Sequence, residues 1–109
     1  MSFSSEYINE CIKICNLIDS DEIESIASLI DSIRENKGRI FFLGVGGGAG
    51  HASHAVNDFR KICGIESYAP TDNVSELTAR VNDDGWDTCY KNWLIGSNLS
   101  NKDMIFVFS

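Results

Sequence analysis

Proline occurs once, at Pro70, and the nine Lys and Arg residues are outnumbered by sixteen Asp and Glu. With a net charge of -7, a pI near 4.6 and no clustering of the basic residues, a nucleic-acid surface is excluded. No run of 18 apolar residues exists, and no basic segment followed by a hydrophobic one opens the chain. Neither a membrane span nor a signal peptide is therefore expected, and the chain reads as cytoplasmic. The four cysteines, Cys11, Cys15, Cys63 and Cys89, form no Cys-x-x-Cys pair and stand within apolar patterns. That arrangement suits reduced core thiols better than disulfides or a zinc knuckle. At 109 residues and 43% hydrophobic content the chain can bury one core.

What the sequence does have is glycine in one place. Arg39-Ile40-Phe41-Phe42-Leu43 shows no alternation and predicts a strand buried on both faces. Glycine then fills four of the five positions from Gly44 to Gly48, and alanines and histidines at helical spacing follow. The first turn of a helix carries unpaired N–H groups and the positive end of the helix dipole. Bare backbone at that turn lets a phosphate or a substrate hydroxyl approach, so a small anionic ligand is expected above the C-terminal end of this strand.

Around this junction the apolar spacing predicts two amphipathic helices, one over 3–18 and one after Asp19, which with Glu22 resembles a capping box. They form an N-terminal helical hairpin over 1–38, whose apolar stripe must be covered by the sheet or by another subunit. After the glycines a helix is expected from about Gly50 to Ile62, a second parallel strand over 65–69 and a turn over 70–73. A helix over 74–81, a loop Asn82-Asp83-Asp84-Gly85 and a helix from Trp86 to Leu94 follow, the last with Trp86, Tyr90 and Trp93 or Leu94 on one side. Met104 to Ser109 reads as another fully buried strand. So apolar a strand in the final residues implies a fragment, or a surface that another chain covers, and the fragment reading is preferred. The expected class is α/β, an open parallel sheet flanked by helices.

Two constellations carry chemistry. Gly44-Val45-Gly46-Gly47-Gly48-Ala49 fits the dinucleotide pattern G-x-G-x-x-G/A, with Glu66 about 20 residues on as a ribose-binding acid. However, Glu66 begins the second strand, at the edge opposite the cofactor, which counts against an NAD-binding half-domain. His54 and Asp58, four apart on a helix, can hold an imidazole and a carboxylate at one site for metal binding or proton transfer. His51 reads as a solvated or capping residue. Two ligands do not complete a zinc site, which takes three or more protein groups.

The region from Gly44 to Gly85 resembles the SIS (sugar isomerase) phosphosugar-binding domain, most closely that of the bacterial phosphoheptose (sedoheptulose 7-phosphate) isomerases. In that family the first strand ends in Gly-Asn-Gly-Gly-Ser, whose place Gly44-Val45-Gly46-Gly47-Gly48 takes. A histidine and, four residues on, a glutamate match His54 and Asp58, and an Asn-Asp-x-Gly motif matches Asn82-Asp83-Asp84-Gly85. The resemblance implies that residues 39–109 are the first part of a SIS domain without its C-terminal part, inactive alone. It implies a homo-oligomer, a tetramer or dimer with active sites shared between subunits, and aldose–ketose isomerisation of a phosphorylated sugar through an enediol. On that basis Gly46, Gly47, Gly48 and Asn82 bind substrate, His54 and Asp58 bind zinc, Asp58 serves as catalytic base, and Asp83 binds or orients the sugar. Asp58 is one methylene shorter than the family's glutamate, and Val45 and Gly48 replace its asparagine and serine. Those departures suit a second reading, a non-catalytic SIS module that senses a phosphosugar.

Overall fold

The computed structural model describes residues 2–109. Helix α1 (Phe3–Leu17) begins where the Ser2 hydroxyl accepts from the Ser5 N–H, and α2 (Ser20–Glu35) where the Asp19 carboxylate accepts from the Asp21 N–H at 2.9 Å. Strand β1 (Ile40–Gly44) leads into α3 (Gly47–Lys61), followed by β2 (Ser67–Tyr68) and a single 3-10 turn (Pro70–Asp72). Two short helices, α4 (Val74–Asp84) and α5 (Trp86–Gly96), precede β3 (Met104–Phe108). The expected loop at Asn82-Asp83-Asp84 is instead the last turn of α4. Asn73 caps the helix by accepting from the Glu76 N–H at 3.0 Å, and helical geometry runs on until Gly85, whose φ of 89° turns the chain out. Only a residue without a Cβ leaves a helix by that route at little cost.

The three strands are parallel in the order β2-β1-β3, with Ile40 opposite both Ser67 and Met104 and Gly44 opposite Phe108. Central β1 is buried on both faces, as its unbroken apolar run demands: Ile40, Phe41 and Phe42 are at most 1% exposed. On one face Ile40 and Phe42 join Ala52, Ile65 and Ala69, with Val56 and Phe59 of α3 and Ile30 and Ile33 of α2 packed around them. The Phe42 ring lies 5.1 Å from Phe59 and 5.6 Å from Phe106. On the other face Phe41 meets Trp93 of α5 edge-on at 5.5 Å, and Cys89 is buried. Strand β3 departs from the expected full burial, since Ile105 and Val107 are 44% and 59% exposed. Its inner residues face α3, but α5 spends its cover on β1 and leaves the other face of β3 open.

The N-terminal ends of β1 and β3 are fastened by an ion pair. The Asp103 carboxylate accepts from the Arg39 backbone N–H (2.9 Å), the Arg39 guanidinium (2.9 and 3.3 Å) and the Ser100 backbone N–H (2.9 Å). Burial alone would raise the Asp103 pKa, yet these bonds to Arg39 and Ser100 outweigh it and hold the carboxyl below its usual range. In turn, the carboxylate bond raises the Arg39 pKa despite desolvation.

Helix α1 projects from this body. Phe3, Tyr7, Ile8, Ile12, Ile14, Leu17 and Ile18 all remain more than half exposed, and no residue of α1 is buried. Accordingly Cys11 and Cys15 are exposed rather than core thiols, whereas Cys63 is half-buried and Cys89 buried. All four are free. The radius of gyration, 17.0 Å, exceeds the roughly 13 Å of a compact chain this long, because the α1 stripe is not covered by the sheet.

Candidate functional site

The site is built at the C-terminal end of β1. A Cβ on Gly44 would stand 2.2 Å from the Gly48 carbonyl group, and one on Gly48 would stand 2.8 Å from the Phe108 carbonyl oxygen. These two glycines therefore let β1, β3 and the start of α3 approach one another. Gly46 is required for another reason, its φ of 58° and ψ of -117°, a conformation that side chains disfavour. Gly47 needs neither: its φ is ordinary and a Cβ there would meet nothing within 4 Å. What surrounds Gly47 is open space in front of the helix.

Helix α3 starts three residues earlier than its apolar spacing suggests, because Gly47 and Gly48 adopt helical geometry despite their low propensity. The Gly48 N–H donates to Val45 O at 3.0 Å and the Gly50 N–H to Gly46 O at 3.1 Å. Among the described residues the Gly47 and Ala49 N–H groups have no backbone acceptor. Two amides without a backbone acceptor thus stand at the positive helix end, with open space beside Gly47, an arrangement that can receive an anion.

Farther along α3, His54 Nε2 stands 3.2 Å from Asp58 Oδ2, with both side chains reaching solvent. The Asn57 amide donates to the other Asp58 oxygen at 3.3 Å. His51 is exposed, its ring 5.9 Å from that of Phe108. No group of three or more His, Cys, Asp or Glu side chains that could hold a metal occurs among the described residues. His54 and Asp58 are therefore two donors where zinc takes at least three protein groups, and no chemistry is assigned to a metal here.

Asn82 and Asp83 are exposed on the last turn of α4, the Asn82 amide donating to Asp83 Oδ1 at 3.2 Å. No hydrogen bond or ion pair joins either to the glycine turn, His54 or Asp58 among the described residues. Glu66 lies at the opposite end of the sheet, its Oε2 3.9 Å from Arg39 Nε. A ribose bound over Gly46 to Gly48 could not reach it.

Sequence reasoning missed Tyr90, whose hydroxyl donates to the Gly44 carbonyl oxygen at 2.5 Å. Burial, and secondarily the neighbouring Cys89, raises its pKa, so the phenol stays protonated and able to donate. With Leu43, Val45, Val107, Phe108 and others it lines a cavity of about 420 Å³ at the strand ends. The periodicity of α5 marks Tyr90 as a packing residue. Its partner lies 46 residues away in the chain and is a backbone atom, which no side-chain pattern records.

No family model matches the chain, and no curated protein matches it in sequence. Among solved structures it is similar to phosphoheptose isomerase from Neisseria gonorrhoeae, with a TM-score of 0.82 and 24% identity. The match covers 96% of this chain and 56% of that one, so this chain spans little more than half the length of the solved enzyme. At that identity the likeness is one of backbone architecture. The α/β fold described above, an open parallel sheet between helices preceded by two N-terminal helices, is the fold of the corresponding part of a phosphoheptose isomerase.

Proposed function

We propose that this chain is part of an aldose–ketose isomerase acting on a phosphorylated sugar of the sedoheptulose 7-phosphate class. The observation that carries the reading is the pairing, on one helix, of an open glycine N-terminus with a His54–Asp58 couple, within a fold shared with phosphoheptose isomerase. The amides at Gly47 and Ala49 receive the phosphate, and Gly46 and Gly48 keep side chains away from it. Asp58 takes a proton from the carbon beside the carbonyl and returns it to the former carbonyl carbon, the hydroxyl proton passing between the two enediol oxygens in the meantime, while the His54 and Asn57 side chains orient its carboxylate. Asn82 and Asp83 bind sugar hydroxyls. Residues 1–38 act as the assembling helices, and 39–109 as the first part of a SIS domain.

The resemblance to phosphoheptose isomerases also implies a site shared between copies, in a homodimer or homotetramer. The uncovered apolar stripe of α1 is the surface that would join them. Zinc at His54 and Asp58 would need further donors from beyond the described residues.

Substituting Asp58→Asn in the natural protein should abolish turnover of sedoheptulose 7-phosphate and leave its binding within about twofold. Unchanged turnover would refute the assignment. The departures of Val45, Gly48 and Asp58 from the SIS pattern favour one rival, a phosphosugar-binding module without catalysis. Saturable binding by the unsubstituted protein with no isomerisation would establish that rival.

A further inference from the structure

We infer that Tyr90 is a positioning residue for the glycine turn, holding the Gly44 carbonyl so that the amides of Gly47 and Ala49 stay aimed at their ligand. The turn is held at several other points. Gly48 N–H is bonded to Val45 O and Gly50 N–H to Gly46 O, the Gly44 and Gly48 backbones lie close, Gly48 lies against the Phe108 carbonyl, and Gly44 stands opposite Phe108 at the end of the pairing of β1 with β3. None of these contacts donates to the Gly44 carbonyl, and Gly46 follows it in a conformation that side chains disfavour. The Tyr90 hydroxyl is the group that pins it, from a helix on the opposite face of the sheet to α3.

The tyrosine is itself held. Its ring lies 5.5 Å from that of Trp86, one turn earlier on α5, and the same helix is anchored by buried Cys89 and by Trp93 against Phe41. The donor thus stands on a packed helix and its acceptor at the end of buried β1, where the glycine turn begins, so a side chain that never touches a ligand can support a binding turn. The phenol also lines the cavity beside Val45, Val107, Phe108 and Ser109, a largely apolar wall.

The inference rests on the glycine turn being a binding site, as proposed above, and the test separates the two. In Tyr90→Phe the ring packing remains and only the hydroxyl is lost. Amide hydrogen exchange at Gly48 and Gly50, whose N–H groups are bonded within the turn, is expected to quicken about five- to tenfold, the loss that one ordinary hydrogen bond carries, while exchange at Ile40 and Phe42 stays as it was. Affinity for inorganic phosphate, titrated by the shifts of the same glycine amides, should fall by a similar factor. Equal acceleration at the turn and at Ile40 and Phe42, a variant that no longer folds, or a turn whose exchange is unchanged would each overturn the inference. Should the unsubstituted protein bind neither phosphate nor sedoheptulose 7-phosphate, the ligand reading fails, and the exchange comparison still decides whether Tyr90 holds the turn.

Discussion

Replacing Asp103 by Ala tests the fastening of the sheet most directly. The carboxylate is 2% exposed and accepts from two backbone amides and from the guanidinium of Arg39, itself 24% exposed. Removing one partner of a buried pair costs about 3–5 kcal/mol, because the other charge is left without compensation. Water can reach Arg39 on one side, so we expect the lower end, about 3 kcal/mol. With a urea m-value of roughly 1–3 kcal/mol/M, that moves the unfolding midpoint down by about 1–3 M at pH 7. The pH dependence gives a second reading of the same bond. Since the folded carboxyl titrates below its unfolded value, the stabilisation is complete above the unfolded pKa, near 4, and is lost as pH falls through the folded one. The gap between the parent protein and Asp103→Ala should therefore be full at pH 7 and close progressively in acid. Should the Ala variant fail to fold, Asp103→Asn keeps the volume and is expected to lose about half as much. A gap below about 1 kcal/mol at pH 7, or one that does not narrow below pH 4, would refute the reasoning.

The glycine turn yields a contrast within five residues. Gly44→Ala places a methyl against the Gly48 backbone and should cost about 3 kcal/mol in thermal or urea unfolding, whereas Gly47→Ala meets nothing and should be neutral or stabilising by about 0.5–1 kcal/mol. If the open space beside Gly47 receives phosphate, the second variant binds it more weakly despite its stability, as a titration would show. Thiol labelling reports on α1: Cys11 and Cys15 should react at once in a monomeric species, Cys63 more slowly and Cys89 only on unfolding. Protection of Cys11 and Cys15 in an associated species, lost on dilution, would mark α1 as the surface between copies.

Much of the fold was legible because it is written in periodicity. The unbroken apolar run at Ile40 to Leu43 announces a strand covered on both faces, and helical spacing locates α1, α2 and α5 to within about two residues. The failures share a cause, which is that burial and termination depend on neighbours that spacing does not name. Every apolar position on β3 reads as buried, yet Ile105 and Val107 lie where α5 does not reach. Cys11 and Cys15 sit on an apolar stripe, but the stripe meets no sheet. At Asn82 to Asp84 the residues favour turns, and the helix nevertheless continues to the first residue able to leave it, Gly85. Of the site, the glycine turn and the His54–Asp58 couple were readable, since both lie within one short segment. Tyr90 was not, because it meets the turn only through the tertiary fold.

The clamp between Arg39 and Asp103 also bears on how the chain reaches its folded state. The two residues are 64 apart, and the pairing of β1 with β3 that they fasten has no hairpin to nucleate it. Closing a loop of that length costs about 4 kcal/mol of chain entropy by the logarithmic estimate, before any strand contact repays it. Until then Phe42 on one strand and Phe106 and Phe108 on the other lack one another, and such strands are prone to pair with other chains. Synthesis order adds to the delay, since β3 is made last of the three strands. The central strand therefore waits, with α3 and β2 beside it, for the segment that completes its second edge.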